Sequence, residues 1–448
     1  LHASLNDFFE RYPSSQILKK FTLEKPTDIL AYVEEQLAKG SEELAELTVR
    51  VSRGEVPYGL LAAVSHRPYS LTLLTRAAGF LVSQPEDPAV ILQDRSAATD
   101  ATQRVVVADT SAIVVGVQSG RWDVVSRELH RLAVVNLATF DIVEGNKQAA
   151  SRSTMSVGLD AVTKKARLFE MSAREADRIA TSAESVLAIA SALDQIVCND
   201  LTRFPAFDVI RHGAWLGPIQ AAANQSAVLY SDDWVVRALA REAGVPAFGT
   251  LGLIDALVSR GRLSTDEAEK WRTSLVENLV GDLPLEHERI RRIASAEQWA
   301  SGSAWVAVGR PATWHDPAAA FQAVTDLLND VAKAAAERLP DWLSAVCRGG
   351  VTRFPGPYGT QLAARLTVFA MNTVSLSPDR TPVLLEAARQ AVAGTQSIDP
   401  LPEMTELLFT TARQIMPPSE AVQFVLRIFA ETADPDRALV TQMLLGRA

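Results

Sequence analysis

The sequence predicts an α/β fold with a parallel sheet at its centre and helical regions on both sides. Short runs rich in β-branched residues alternate with amphipathic helical stretches in the middle of the chain. The regions before and after this middle part read as helices separated by loops. Hydrophobic residues make up 48% and charged residues 22% of the 448 residues, which is enough apolar material for more than one globular core.

The strands are predicted from apolar runs that follow a helical N-terminal region. That region, residues 1–100, ends in a linker-like stretch (84–104) that contains Pro, Asp and Ser. Val105–Ala108 begins with three consecutive valines between polar residues, which is typical of a strand covered on both faces. The other predicted strands are Leu132–Asn136, Ala227–Tyr230 and Val245–Phe248. Because these strands alternate with helices, the sheet is predicted to be parallel.

Two capping-box sequences mark where further helices begin. Ser172–Glu175 opens a helical segment between the second and third strands, and residues 150–200 are interpreted as a helical insertion. Ser264–Glu267 opens a C-terminal region of helices and loops. The predicted domains are an N-terminal helical segment (1–100), an α/β domain (101–262) and an all-helical C-terminal domain (263–448).

Charge and composition exclude several classes of protein. Lys and Arg number 44 against 53 Asp and Glu, and the net charge of −9 disfavours indiscriminate wrapping of duplex DNA. The two cysteines, Cys198 and Cys347, lie too far apart in sequence for a C-x-x-C site. Apolar stretches are too short to span a membrane and no signal peptide opens the chain, so a cytoplasmic location is expected. P-loop, dinucleotide-binding and α/β-hydrolase motifs are lacking.

Acidic residues follow three of the predicted strands. Asp109 follows the first, Asp232 and Asp233 follow the third, and Glu144 lies one turn into the helix after the second. Since ligands bind at the carboxyl ends of parallel strands, these side chains should meet at one rim of the sheet. Clustered carboxylates repel each other unless a hard cation such as Mg²⁺ or Mn²⁺ neutralises them. The pattern therefore predicts a metal-dependent site for phosphoryl chemistry.

Each acid also has a simpler structural interpretation. Asp109 and Asp233 are in positions where a carboxylate caps the N-terminus of the following helix. Glu144 taken alone is a solvated helix residue. Ser111 and Ser231 lie beside the acids and are placed to hydrogen-bond a carboxylate or a phosphate. The metal interpretation depends on the acids occurring together and in this order.

The residues around these acids resemble the motifs of a known family. Val105–Ile113 resembles the opening strand motif of PIN-domain nucleases, the ribonuclease fold shared by VapC-type toxins. Thr139–Gly145 is similar to the second motif of that family, in which a helix-borne glutamate faces the first aspartate. Leu229–Asp233, with Gly249–Gly252 behind it, resembles the third motif. The resemblance extends over residues 104–257.

This resemblance implies a PIN-like three-layer α/β/α fold and a metal-dependent endoribonuclease. Single-stranded or tRNA-like RNA is the implied substrate, with single-stranded DNA as an alternative. The resemblance implies four catalytic residues that also bind Mg²⁺ or Mn²⁺: Asp109, Glu144, Asp232 and Asp233. The flanking helices resemble those around PIN domains in larger multidomain bacterial proteins, which implies a protein partner or further domains of a longer chain.

Two departures from the family pattern support a competing interpretation. The segment between Glu144 and Asp232 is long for a PIN domain, and residues 215–225 lack an acid that many members carry. Asp194 or Asp200 would have to replace it, unless the paired aspartates serve both purposes. The alternative is a catalytically inactive PIN-like scaffold that binds a protein or RNA through its helical domains. Basic residues at 289–292, near several tryptophans, are either an RNA contact or an ordinary helix face.

Overall fold

The structure is a computed structural model that describes residues 43–77, 79–84, 87–129, 131–151, 155–159, 166–283 and 285–445. In the N-terminal region residues 43–52 are helical, and they are followed by α1 (Tyr58–Val64), α2 (Tyr69–Leu74) and α3 (Pro88–Ala101). The predicted linker at 84–104 is thus mostly helix. The linker prediction was wrong because Pro88 occupies the first position of the helix and Asp87 caps it, accepting the N–H of Ala89.

Five parallel strands form the central sheet, and a separate antiparallel pair lies in the insertion. The strands in chain order are β1 (Val106–Ala108), β2 (Leu132–Val135), β3 (Met155–Leu159), β4 (Ala166–Glu170), β5 (Asp194–Ile196), β6 (Val228–Tyr230) and β7 (Ala247–Phe248). The sheet order is β5-β2-β1-β6-β7, and β3 pairs with β4. Ala108 pairs with Tyr230, so Asp109 and Ser231 leave the sheet at the same level.

Helices surround this sheet, and the predicted α/β fold with a parallel sheet is confirmed. The helices of this part are α4 (Thr110–Gln118), α5 (Trp122–Glu128), α6 (Asn136–Ala150), α7 (Ala173–Ala192), α8 (Val209–Asn224), α9 (Trp234–Glu242), α10 (Thr250–Ser259) and α11 (Thr265–Glu277). Helix α8 packs across β1, β2 and β6, whereas α3 packs on β7 and α10. The predicted capping box at Ser264 is present at the start of α11.

The insertion departs from the all-helical prediction. It contains the β3–β4 hairpin before α7, and α7 is followed directly by the edge strand β5. Leu193 leaves the helix with an extended backbone, and β5 then pairs with β2 through Asp194 and Ala133. A three-residue strand with exposed polar side chains carries no recognisable alternation, so only the pairing with β2 reveals it.

The C-terminal part is helical, as predicted. Its helices are α12 (His287–Ala296), α13 (Ser303–Val308), α14 (Pro317–Ala334), α15 (Leu339–Arg353), α16 (Pro357–Thr373), α17 (Thr381–Val392), α18 (Leu401–Ala412), α19 (Pro418–Ile428) and α20 (Asp434–Leu444). Short 3₁₀ turns occupy Pro311–Trp314 and Ala336–Arg338. Among the described residues, no helix has both the length and the apolar composition needed to cross a bilayer.

Two hydrophobic cores divide the molecule. The first includes residues from Val51 to Val280, and the second includes residues from Val276 to Leu444. Tyr58, Leu61 and Leu73 of the N-terminal helices belong to the first core. The N-terminal helices therefore pack as part of the α/β unit, and they bring their residues close to the carboxyl edge of the sheet.

Candidate active site

Three of the predicted acids lie at the carboxyl edge of the sheet and are buried. Asp109 follows β1, and Asp232 and Asp233 follow β6, with exposed fractions of 0%, 0% and 3%. The capping interpretation also holds, because Asp109 accepts the N–H of Ser111 and Asp233 accepts those of the first turn of α9. A carboxylate that caps a helix is fixed in position, so capping and clustering reinforce each other here.

The two oxygens of Asp109 have different surroundings. Oδ2 accepts hydrogen bonds from the hydroxyls of Ser111 (2.5 Å), Ser231 (3.0 Å) and Tyr69 (3.2 Å). Oδ1 is buried and has no hydrogen-bond partner among the described residues. Burial raises the pKa of Asp109 to about 6, although the hydrogen bonds from Ser111 and Ser231 oppose the rise. The side chain is thus anchored through one oxygen and has a free acceptor in the other.

Asp233 lies near Asp109 and shares its buried environment. Its Oδ1 accepts the N–H of Val235 (3.0 Å), and its Oδ2 accepts the N–H of Tyr58 (2.8 Å). Burial raises the pKa of Asp233 to about 7, and the charge of Asp109 contributes to the rise. The Ser111 hydroxyl links the two acids, because it also accepts the N–H of Asp233 at 3.2 Å. Two carboxyl groups that oppose each other's ionisation are the electrostatic condition for binding a cation.

Asp232 is fully engaged in holding neighbouring segments together. Its Oδ1 accepts the N–H of Thr250 (2.7 Å) and the hydroxyl of Ser83 (3.0 Å), and its Oδ2 accepts the Thr250 hydroxyl (2.6 Å). The buried guanidinium of Arg237 donates to the carbonyl oxygens of Ser231 (2.7 Å) and Ser83 (2.5 Å). Burial raises the pKa of Asp232. Asp232 thus lies at the edge with both carboxylate oxygens hydrogen-bonded to neighbouring segments.

Glu144 lies apart from the other three acids. Its side chain is 53% exposed and contacts Lys147 (3.8 Å) and Gln148 (3.2 Å) on its own helix. Asp141, three residues before Glu144 on the same helix, accepts the N–H of Tyr69 (2.7 Å). The Tyr69 side chain then reaches Asp109, so α2 occupies the space between α6 and the acidic edge. Sequence reasoning had no means of placing this helix there.

The other candidate residues are also accounted for. Asp194 lies at the start of β5 and Asp200 in the loop after it, and both are exposed. In the parts of the chain that the structure describes, no group of three or more Asp, Glu, His or Cys side chains is arranged to hold a metal ion. In the basic cluster, Arg289 is buried and paired with Glu269 and Glu286. That cluster is thus largely an ion-paired helix face.

Three contacts from the N-terminal region to the acids escaped sequence reasoning. They come from Tyr58, Tyr69 and Ser83, and each meets a different aspartate. No local motif predicts these contacts, since Tyr58 and Asp233, for example, are 175 residues apart. By contrast, the contacts of Ser111 and Ser231 with Asp109 agree with the prediction made from their positions beside the acids.

Replacing Asp109 with asparagine should stabilise the protein at pH 8. The folded state binds protons on Asp109 and Asp233 with pKa values of about 6 and 7, against a usual 3.8, so the stability that these two groups contribute is full below about pH 4 and is lost as pH rises to about 7. Asparagine keeps an acceptor for Ser111 and Ser231 and carries no charge. We expect a gain of about 1–2 kcal/mol, or roughly 2–8 °C in Tm, at pH 8.

Thermal unfolding of both proteins between pH 5 and 8 measures this effect. The variant should also show a flatter dependence of Tm on pH than the wild type. A lower Tm for the variant at pH 8 would contradict the assignment of a buried, destabilising charge to Asp109.

A comparison with known families agrees with this geometry. Residues 107–242 match the sequence profile of the family described as "PIN domain associated with the TPR-GreAB-C-PIN system". The match begins in β1, ends with α9 and includes Asp109, Asp232 and Asp233. No curated protein and no solved structure matches the chain significantly. The central α/β domain of this chain is a PIN domain.

Proposed function

We propose that the chain is a metal-dependent ribonuclease of PIN type, with Asp109 and Asp233 at the centre of its active site. The observation that carries the proposal is the free, buried Oδ1 of Asp109 beside a second carboxyl group of raised pKa. Both acids follow adjacent parallel strands in a domain whose family supports nuclease activity. In this proposal, both carboxyl groups would face a phosphodiester substrate bound at the carboxyl edge of the sheet.

The donor set fits a Mg²⁺ or Mn²⁺ ion. Magnesium is usually held by one or two carboxylates, with water and substrate phosphates completing its coordination. Asp109 and Asp233 would hold the ion, and Ser111 and Ser231 fix the orientation of Asp109 through its Oδ2. Such an ion, when bound, supplies a water of lowered pKa and stabilises charge on the phosphate.

Cleavage of labelled single-stranded RNA and of bulk tRNA tests the proposal. Assays with Mn²⁺, Mg²⁺ or EDTA compare the wild type with Asp109→Asn and Asp233→Asn, and exposed Asp200→Asn is the matched control. We expect metal-dependent cleavage that falls by roughly 100-fold or more in both active-site variants and is unchanged in the control. The cleavage rate of a Glu144→Gln variant shows whether Glu144 takes part in the reaction.

Because the acids are buried, the test also needs a variant in which the helix over them is displaced. Gly145→Leu places a side chain against Ser70 of α2 and displaces that helix, because even a Cβ at this position would lie 2.3 Å from the Ser70 hydroxyl oxygen. If neither the wild type nor Gly145→Leu cleaves RNA with either metal, the ribonuclease proposal fails.

A second candidate function is a non-catalytic PIN scaffold. Its support is the engagement of both oxygens of Asp232 by Thr250 and Ser83, together with the exposure of the Glu144 side chain, whose described contacts are with Lys147 and Gln148. A scaffold predicts no stabilisation by Mg²⁺ or Mn²⁺, whereas a nuclease predicts a rise in Tm that Asp109→Asn abolishes, because a ligand stabilises the state that binds it. Metal-dependent thermal shifts therefore separate the two candidates.

A further inference from the structure

We infer that the described residues 58–77 and 79–83, here called the N-terminal cover, form an intramolecular inhibitor of the PIN domain. In the closed state it keeps metal and RNA from Asp109 and Asp233, and it must move before the site can work. The inhibitory role of the cover rests on the proposed ribonuclease function. The shielding of Asp109 and Asp233 by the cover can be measured without any activity.

The cover contacts all three buried aspartates at separate points. The Tyr69 hydroxyl donates to Asp109 (3.2 Å), the Tyr58 N–H donates to Asp233 (2.8 Å), and the Ser83 hydroxyl donates to Asp232 (3.0 Å). These donors come from α2, from α1 and from the segment that follows them. A segment that meets each acid of the edge with its own donor is shaped to that edge.

The cover binds one carboxylate oxygen of each proposed metal ligand. The Oδ2 of Asp233 accepts the Tyr58 N–H, and the Oδ2 of Asp109 accepts the Tyr69 hydroxyl, while the Oδ1 of Asp109 stays buried without a partner among the described residues. Hydrogen-bond donors thus take the place of positive charge at both carboxyl groups, and closure competes with cation binding.

Two glycines fit the cover closely onto the PIN domain, away from the acids. A Cβ on Gly59 of α1 would lie 2.1 Å from the ring of Trp215 in α8. A Cβ on Gly145 of α6 would lie 2.3 Å from the hydroxyl oxygen of Ser70 in α2. Side chains at these positions would push the helices off the domain. The position of the cover can therefore be changed without altering any residue of the acidic edge.

The positions of Ser70 and Gly145 allow an engineered disulfide that can be formed and reduced. A Cβ at position 145 would lie 3.4 Å from the Cβ of Ser70, close to the separation of about 3.5–4.5 Å found in disulfides. The native cysteines, Cys198 and Cys347, are buried and should not interfere. In the double variant Ser70→Cys/Gly145→Cys, oxidation should lock α2 in place. Reduction should release it, because the side chain added at position 145 crowds position 70.

The first readout is labelling of carboxyl groups with a carbodiimide and an amine, quantified by peptide mass spectrometry. The second is Mn²⁺-dependent RNA cleavage by the same full-length samples. On reduction, we expect labelling of Asp109 and Asp233 and the cleavage rate each to rise at least tenfold. Wild type, Ser70→Cys and Gly145→Cys, treated in the same way, should not respond to the reductant.

The outcomes separate the inference from the function on which it rests. If the disulfide forms but labelling and cleavage are the same in the oxidised and reduced protein, the inference is overturned. If labelling rises on reduction and no sample cleaves RNA, the shielding of the aspartates by the cover is supported and the ribonuclease function fails. Cleavage by the oxidised protein at the reduced rate also overturns the inhibitory role.

A second pair of variants tests the inference if the double cysteine protein does not fold. Asp141→Ala removes the carboxylate that accepts the N–H groups of Tyr69 (2.7 Å) and Ser70 (2.8 Å) at the start of α2. Asp87→Ala removes the N-cap of α3 and is the matched control. Labelling of Asp109 should rise several-fold in the first variant only. Equal labelling in both variants would overturn the inference.

Discussion

Replacing Arg237 with methionine should destabilise the PIN domain by about 3–5 kcal/mol, since one partner of a buried ion pair is removed. The Arg237 guanidinium is fully buried, lies 3.2 Å from Asp94, and donates to the carbonyl oxygens of Ser231 and Ser83. Methionine fills much of the space but leaves both carbonyl groups without this donor. Asp94 would keep only its contact with Arg241.

Urea unfolding followed by circular dichroism measures this loss. Arg260→Met is the matched control, because Arg260 hydrogen-bonds Thr102 at an exposed site, and its cost should stay within about 0.5 kcal/mol. Similar losses in the two variants would mean that Arg237 does not connect the acidic edge to the N-terminal cover as the structure indicates.

Trp342→Ala should have an effect of similar size, about 3–5 kcal/mol, confined to the C-terminal core. Trp342 is fully buried, packs edge-on against Trp299 at 5.9 Å, and donates its indole N–H to the Trp299 carbonyl oxygen at 2.9 Å. Because the two hydrophobic cores are distinct, the PIN domain should keep its stability. Scanning calorimetry should show one transition move to lower temperature while the other stays in place.

Trp305→Ala is the control for this variant. Trp305 is only partly buried, so its removal should lower the same transition by a clearly smaller amount. If Trp342→Ala lowers both transitions equally, the two cores unfold as one cooperative unit, contrary to their separation in the structure.

The strands that sequence alone predicts are those with strong local signals. The valine run of β1 and the apolar runs of β2 and β6 are fully buried strands, and their apolar composition reflects the covering of both faces. Strand β5 is short, polar and exposed, and it is a strand only because β2 supplies its hydrogen bonds. Tertiary pairing, which no single window of sequence contains, decides such cases.

The same distinction applies to the acidic edge. Asp109 and the pair Asp232–Asp233 could be predicted to meet because the ends of neighbouring parallel strands meet. Glu144 was expected beside Asp109, but α2 lies between α6 and the edge, and the Tyr69 hydroxyl contacts Asp109 instead. The N-terminal helices carry no local signal that would join them to the sheet, so this contact could not be predicted from sequence.

The order of residues along the chain has a consequence for biosynthesis. Tyr58 precedes its partner Asp233 by 175 residues, which is roughly 10–35 seconds of translation at about 5–20 residues per second. During that interval the apolar faces of α1 and α2 have no sheet to pack against and stay exposed. When β6 finally emerges from the ribosome, the cover is already present. The acidic edge of the PIN domain is therefore assembled with the cover already available to close over it, so that, under the proposed function, the site would be enclosed from the moment it forms.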